Sequence, residues 1–222
     1  MTERKTVVAA TSNEHKLAEI AATLAPFGYE VISRAAAGVP EFEVEETGTT
    51  FEENSYIKAE AIFDWLGGRV WALADDSGIE VDALSGAPGV YSARFAESSD
   101  EVDFITADND TEQSHRSRQD RANNAKLLRM LGETPLEERT ARFVSVITCL
   151  CPGEDPVVCR GEVEGHVDFK ETGIAGFGYD PLFIPTGYDH SFGLFTPEDK
   201  NAISHRGLAL AMLAEKLAAE RG

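Results

Sequence analysis

The amino-acid sequence predicts an α/β protein. Three observations carry that expectation. Residues 6–10 form a short apolar strand that passes through a polar loop into an amphipathic helix, with Leu17, Ile20, Ala21 and Leu24 at helical spacing. Thr50-Phe51-Glu52-Glu53 has the capping-box form and opens a helix to about Leu66, after which Gly67-Gly68 breaks into an apolar strand over 69–74. Two long strand-like runs, 141–150 and 157–169, follow a helix predicted over 116–131. Strands that alternate with amphipathic helices predict a sheet covered by helices.

At 222 residues the chain is read as a single domain, 1–222. It has no run of about 18 apolar residues, and the apolar run after Met1-Thr2-Glu3-Arg4-Lys5 is too short for a signal-peptide core. A cytoplasmic location is expected. The formal charge of −19 argues against nucleic acid and anionic membrane as partners, because a phosphate field rewards net positive charge. Only seven lysines stand against 39 acids. That balance suits a high-salt cytoplasm, where screening tolerates self-repulsion, so unfolding midpoints should rise with added KCl. Three cysteines, Cys149, Cys151 and Cys159, read as free thiols in strands; a zinc site would need a fourth ligand, with only His166 near.

In chain order, the first loop is Thr11-Ser12-Asn13-Glu14-His15-Lys16. Ser12 or Asn13 can cap the helix, whose N-terminal N–H groups suit a phosphate. Lys16 in the first turn opposes the helix dipole unless an anion sits nearby. A plain capped helix is the alternative. Pro26 to Gly28 end it, and 29–33 reads as a second strand. The acidic stretch 41–48 is loop-like. On the capping-box helix Asn54, Lys58 and Ala61 share a face, so Asn54 and Lys58 can meet one ligand; a solvated lysine is the alternative.

The strand over 69–74 is expected to end at Asp75-Asp76, with Ser77-Gly78 as a tight bend and 79–82 continuing half-buried. Carboxylates at a strand end can bind Mg²⁺ or take a proton from water, and the same residues also suit a solvated turn. A Gly/Pro loop over 85–95 carries Tyr91 and Arg94, and 97–114 reads as an acidic surface insertion. The glycine-rich stretch Gly173 to Pro181 allows close backbone approach to a ligand, and Phe177 can stack on a base. Thr196 caps a short helix with Pro197 at its first position. Ser204-His205-Arg206-Gly207 then precedes a last helix over 208–221.

Three of the seven lysines, Lys16, Lys58 and Lys200, sit beside polar loop motifs. With His205 and Arg206 they stand against Glu46, Asp75 and Asp76, the inventory of a magnesium and nucleoside-triphosphate site. Neither a P-loop nor a dinucleotide fingerprint is present.

Five motifs in order carry a resemblance over nearly the whole chain. They are Thr11 to Lys16, Glu46 to Ala59, Ala74 to Ile79 continued by Gly86 to Arg94, Gly176-Phe177-Gly178-Tyr179-Asp180-Pro181-Leu182-Phe183, and Lys200 to Gly207. The sequence resembles the inosine-triphosphate pyrophosphatase family, also called HAM1-like or dITP/XTP pyrophosphatases. The resemblance implies an elongated two-lobed α/β fold with a long central mixed β-sheet flanked by helices and a nucleotide cleft between lobes. It implies hydrolysis of the purine nucleoside triphosphates ITP, dITP and XTP to the monophosphate and pyrophosphate, with Mg²⁺ as cofactor, in a homodimer.

By the same resemblance Asp76 is the proton acceptor and, with Glu46, a metal ligand. Lys16 and Lys58 act on the phosphates alongside Thr11, Ser12, Asn13, Glu14 and His15. Ser77 touches the nucleotide, and Asn54, from its helical spacing beside Lys58, is a further candidate substrate contact. Phe177, Gly178, Tyr179, Asp180, Lys200, His205 and Arg206 form the base pocket. Two departures stand out. Ser191-Phe192-Gly193-Leu194 replaces a Thr-Phe-Ala-Glu-like segment, and Ser85 stands where glycine is common. A nucleotide-binding regulator without turnover, a Maf-like pyrophosphatase and an acidic scaffold are the other readings. The intact Asp76, Lys16 and Lys58 speak against the first, the Ser-His-Arg segment and Gly-Phe-Gly-Tyr-Asp loop against the second, and all five motifs against the third.

Overall fold

The computed structural model describes residues 5–11, 13–98 and 112–219, with backbone alone for His15, Ser98 and 112–117. The acidic insertion expected over 97–114 falls largely on 99–111, outside the described residues. Six strands form one mixed, open sheet in the order β2-β1-β3-β4-β5-β6. They are β1 (Lys5–Ala9), β2 (Tyr29–Ser33), β3 (Trp71–Val81), β4 (Thr140–Leu150), β5 (Val157–Val167) and β6 (Phe183–Pro185). β1 runs parallel to both β2 and β3, and β6 runs antiparallel to β5. The helices are α1 (Glu14–Leu24), α2 (Phe51–Trp65), α3 (Glu112–Leu131), α4 (Pro197–Ile203) and α5 (His205–Ala219). Among the described residues no helix is long and apolar enough to cross a membrane.

The chain divides into two compact units. Unit 1 comprises Met1–Ser77, Ser145–Glu162 and Ser204–Gly222; unit 2 comprises Gly78–Val144 and Val163–Ile203. In unit 1 the period of two along a strand sorts side chains into two layers. Val7, Ala9, Leu73, Ile147 and Cys149 pack with α1 and α5, through residues such as Ile20, Leu24, Leu210 and Leu213. Val8 and Ala72 pack on the other face against Ile62 of α2, and Ala74 meets Ala59 there. Each fully buried Leu or Ile of these layers contributes on the order of 2 kcal/mol. The three cysteines are free and buried, Cys149 in β4 and Cys159 in β5 as expected, whereas Cys151 falls just past the end of β4.

The local signals that start α2 and α4 are realised. Thr50 Oγ1 accepts from Glu53 N–H, and Glu53 Oε2 accepts from Thr50 N–H, closing the capping box. Thr196 Oγ1 accepts from Asp199 N–H with Pro197 at the first helical position. In unit 2, Ile79, Val81, Phe143, Tyr179, Phe183 and Phe192 belong to one core cluster.

Three expectations differ from the structure. Asp75 and Asp76 do not end a strand, and Ser77-Gly78 is no bend: β3 runs eleven residues straight through them. Gly78 serves close approach instead, since a Cβ there would collide with Ser92 Oγ and lie 2.6 Å from Gly89 O. The stretch 85–95, expected as a loop, is largely 3₁₀ helix over Gly89–Ser98, preceded by a 3₁₀ turn at Asp82–Leu84. Ser85 takes φ +55° at the end of the first turn, a left-handed geometry that explains why glycine suits this position. Finally, α5 begins at His205, because Ser204 Oγ accepts from Gly207 N–H and caps the helix earlier than the apolar periodicity suggests.

Candidate active site

The two adjacent acids of β3 point to opposite layers of unit 1, as strand alternation requires. Asp75 faces α1 and α5. Its Oδ2 accepts from Lys16 Nζ at 2.6 Å and from Arg206 Nη2 at 3.4 Å, and its Oδ1 accepts from the Ser145 hydroxyl. Arg206 Nη1 donates to Glu19 Oε2 at 2.8 Å, and Ser77 Oγ accepts from Lys16 Nζ and Arg206 Nη2. Lys16 and Arg206 thus face Asp75 and Glu19, a cluster with no net charge. Burial disfavours the Asp75 carboxylate, but Arg206 and Lys16, with hydrogen bonds from Lys16 and Ser145, outweigh it and hold its pKa well below the usual range. Burial and the neighbouring cations lower the pKa of Lys16 against the pull of Asp75.

Asp76 faces α2. Its Oδ1 accepts from Lys58 Nζ at 2.6 Å, and Glu46 Oε1 lies 3.6 Å from the same ammonium. Here two carboxylates share one cation, leaving one negative charge over. Burial raises the Asp76 pKa; Lys58 lowers it, and Glu46 and Asp75 add to the rise. Asp76 Oδ2 is buried and has no hydrogen-bond partner. Asn54, also fully buried, accepts from Gly48 N–H through Oδ1 and leaves Nδ2 without a partner.

The first loop is ordered by its own side chains. Thr11 Oγ1 accepts from Asn13 N–H, and Asn13 Oδ1 accepts from Lys16 N–H, so Asn13 caps α1. Glu14 is exposed at the helix start. Ser12 and the His15 side chain lie outside the described residues. His205 is buried in the first turn of α5.

Unit 2 holds its own cluster. Lys200 Nζ donates to Asp180 Oδ2 at 2.5 Å and lies 4.6 Å from the centroid of the Phe177 ring. The same Asp180 oxygen accepts from Phe177 N–H at 2.8 Å. Tyr179 is buried, its hydroxyl donating to Ser92 O, and desolvation pushes its pKa up. Gly178 sits between Phe177 and Tyr179 with φ +60°.

Two partners of this site went unread in the sequence. Glu19 lies one turn after Lys16 on α1, at a spacing that places both on one face, and that spacing was the available signal. Ser145, like Thr148, is a buried hydroxyl in the apolar run of β4, a polar intrusion of the kind that marks a buried partner.

A model of the Ham1 family matches residues 7–216. The chain belongs to the Ham1 family. A dITP/XTP pyrophosphatase of Brucella melitensis is 44% identical over 97% of this chain and 94% of its own length. Among solved structures, the Ham1 protein of Staphylococcus aureus superposes with a TM-score of 0.79 at 38% identity, covering 97% of this chain and all of that one. A HAM1 protein from Coxiella burnetii gives the same TM-score at 35% identity, over 97% of this chain and 99% of its own.

The resemblance implies a magnesium site, and these residues bear on it. The described residues contain no group of three or more His, Cys, Asp or Glu side chains placed to hold a metal. Mg²⁺, however, commonly takes one or two carboxylates and completes its octahedron with water and phosphate oxygens. Asp76 Oδ2, buried without a partner, and Glu46, beside the same lysine, supply that minimum. The surplus negative charge around Lys58 fits a cation, whereas the neutral cluster around Asp75 does not call for one.

Proposed function

We propose that this chain is a magnesium-dependent pyrophosphatase that hydrolyses ITP, dITP and XTP to the monophosphate and pyrophosphate, removing deaminated purines from the nucleotide pool. The curated relatives' names support the substrate class. The chemistry rests on one observation: Asp76 is a buried carboxylate of raised pKa with one oxygen held by Lys58 and the other without a partner. A group so placed is a base for a water molecule.

Asp76 takes the proton as the water oxygen bonds to the α-phosphorus. The bond from that phosphorus to the bridging oxygen breaks, and its electron pair leaves with pyrophosphate. Lys16 and Lys58 bring ammonium groups to the phosphate oxygens, where charge grows during the displacement. Asp76 and Glu46 would hold Mg²⁺, which neutralises phosphate oxygens and eases the departure of pyrophosphate when bound. The Phe177 ring offers a stacking face for a purine. Hypoxanthine and xanthine carry an oxygen at C6 where adenine carries an amino group. A donor from His205, Arg206 or a backbone N–H would pair with that oxygen and be left unpaired opposite adenine, which can discriminate by ~10⁴-fold. We also expect a homodimer, with a solution mass near twice the 24.1 kDa of the chain.

Pyrophosphate release from ITP, XTP, dITP, GTP and dUTP tests the reading. The first three should exceed GTP and dUTP, and chelating Mg²⁺ should stop turnover until it is restored. Preference for dUTP, or turnover indifferent to chelation, would overturn it. Lys58→Ala should raise KM for the triphosphate by roughly 10–100-fold, the worth of a charged hydrogen bond, while inosine binding stays unchanged. Calorimetry on both ligands checks this, and equal losses would exclude a phosphate contact.

A further inference from the structure

The polar face of α3 has no part in the chemistry above, yet it is aimed at the glycine-rich loop of its own unit. Asp120 and Asn124 stand one turn apart on this helix. Asp120 Oδ2 accepts from Gly178 N–H at 2.9 Å. Asn124 Nδ2 donates to Gly178 O at 3.1 Å and to Glu171 Oε1 at 2.8 Å. One residue of the loop is therefore held through both its backbone groups by side chains of a single helix. Gly178 lies between Phe177, whose N–H is bound by Asp180, and Tyr179, whose hydroxyl is fixed on Ser92 O. The next face of α3 braces the segment that carries Ser92: Asn123 Oδ1 accepts from Ala96 N–H, and its Nδ2 donates to Ser92 O and Ala93 O.

A glycine at φ +60° has no side chain to hold it in place, and its peptides can turn unless both are anchored. The loop's own hydrogen bonds fix Phe177 and Asp180 to each other. Gly193 N–H and Lys200 Nζ tie Asp180 to the body of the unit, and the Asp120 and Asn124 bonds add an anchor at Gly178, next to Phe177.

We infer that Asp120 and Asn124 are positioning residues for base selection: by gripping the Gly178 backbone from both sides they set where the Phe177 ring and the Asp180–Lys200 pair present themselves to a purine. This rests on the reading that the glycine-rich loop meets the base. The grip acts on the base end of the substrate and leaves the phosphate chemistry of unit 1 untouched. Glu171 belongs to the same device, because it holds the Asn124 amide with its Nδ2 towards Gly178.

The test compares ITP with GTP and with inorganic tripolyphosphate, which has no base, in Asp120→Ala, Asn124→Ala and Asp120→Asn. The two alanine variants should lower the ratio of kcat/KM for ITP over GTP by about tenfold or more, mostly through KM, as a displaced positioning group does. Inhibition by tripolyphosphate should stay within about twofold of the unaltered chain, since its contacts are electrostatic and it carries no base for the loop to meet. Asp120→Asn keeps an acceptor for Gly178 N–H and should restore most of the ratio. The inference is overturned if the ratio survives in a folded alanine variant, if tripolyphosphate inhibition falls in parallel, or if Asp120→Asn is no better than Asp120→Ala. Should Asp120→Ala not fold, the ratios of Asn124→Ala and Asp120→Asn decide the matter in its place. Failure of the unaltered chain to turn over ITP would defeat the proposed function instead, and is measured before any variant.

Discussion

Asp76→Asn should cut pyrophosphate release from ITP by at least about a hundredfold, the usual worth of a positioned base, while the nucleotide still binds. An amide keeps the shape of the carboxylate and an acceptor for Lys58, but it takes no proton and is a poor metal ligand. The same variant should unfold at a temperature equal to or above that of the unaltered chain. The sign follows from the pKa. The folded Asp76 carboxyl is raised, mainly by burial, above the ~3.9 of an unfolded aspartate. The fold therefore binds its proton more tightly than the unfolded chain does. Stability from this group is complete below about pH 3.9 and is lost as pH rises through the raised value. At neutral pH the ionised acid is a cost, and the amide removes it, a trade of stability for activity common at catalytic sites. Melts without Mg²⁺ carry the same signature: the margin between Asp76→Asn and the unaltered chain should close as pH falls through the raised value. Retained turnover in Asp76→Asn would refute the assigned role.

Much of this site was legible because it is local. The capping box at Thr50 and Glu53 needs four consecutive residues, and the i, i+4 relation of Asn54 and Lys58 needs one helix. Asp75 and Asp76 announced themselves as neighbouring acids in an apolar setting. Their separation onto two layers was equally available from the period of a strand, but only once Ser77-Gly78 is recognised as strand rather than bend. Ser and Gly favour turns by local propensity; here sheet pairing and the close approach of Ser92 to Gly78 override it. Long-range partners had no such signal. Arg206 meets Glu19 across 187 positions, and only the fold brings α5 beside α1. Asp120, Asn123 and Asn124 gave no signal within the helix predicted over 116–131, because a sequence shows polarity and not the backbone that polarity will hold. β6 escaped notice because three residues ending in proline make no period; proline is tolerated there on an edge strand.

The neighbouring acid should answer in the opposite sense. Asp75→Asn is expected to lower stability at neutral pH by about 3 kcal/mol, the lower end of what breaking a buried ion pair costs. For a chain of this length that is roughly 6–12 °C in Tm. The side chains of Asp75 and Arg206 are 1% and 2% exposed, so neither charge finds water when its partner is removed. Without Asp75 the cluster of Lys16, Arg206 and Glu19 carries one positive charge too many, and Lys16 already yields pKa to burial and to the nearby cations. An amide still accepts a hydrogen bond, so the loss measured is electrostatic rather than steric. The pH dependence separates the two acids. The folded Asp75 carboxyl is held well below its unfolded value. Its contribution is present above about pH 3.9 and disappears only as pH falls through the depressed value. Unaltered and Asp75→Asn chains should therefore differ in Tm by a steady margin from pH 7 to about pH 5, converging only in stronger acid. Thermal melts across that range check it, and a variant within a degree of the unaltered chain at pH 7 would show that Arg206 does not depend on Asp75. Adjacent carboxylates on one strand would then be distinguished by function alone. Opposite shifts in Tm would show that the strand's period of two assigns one acid to hold the fold and the other to strain against it.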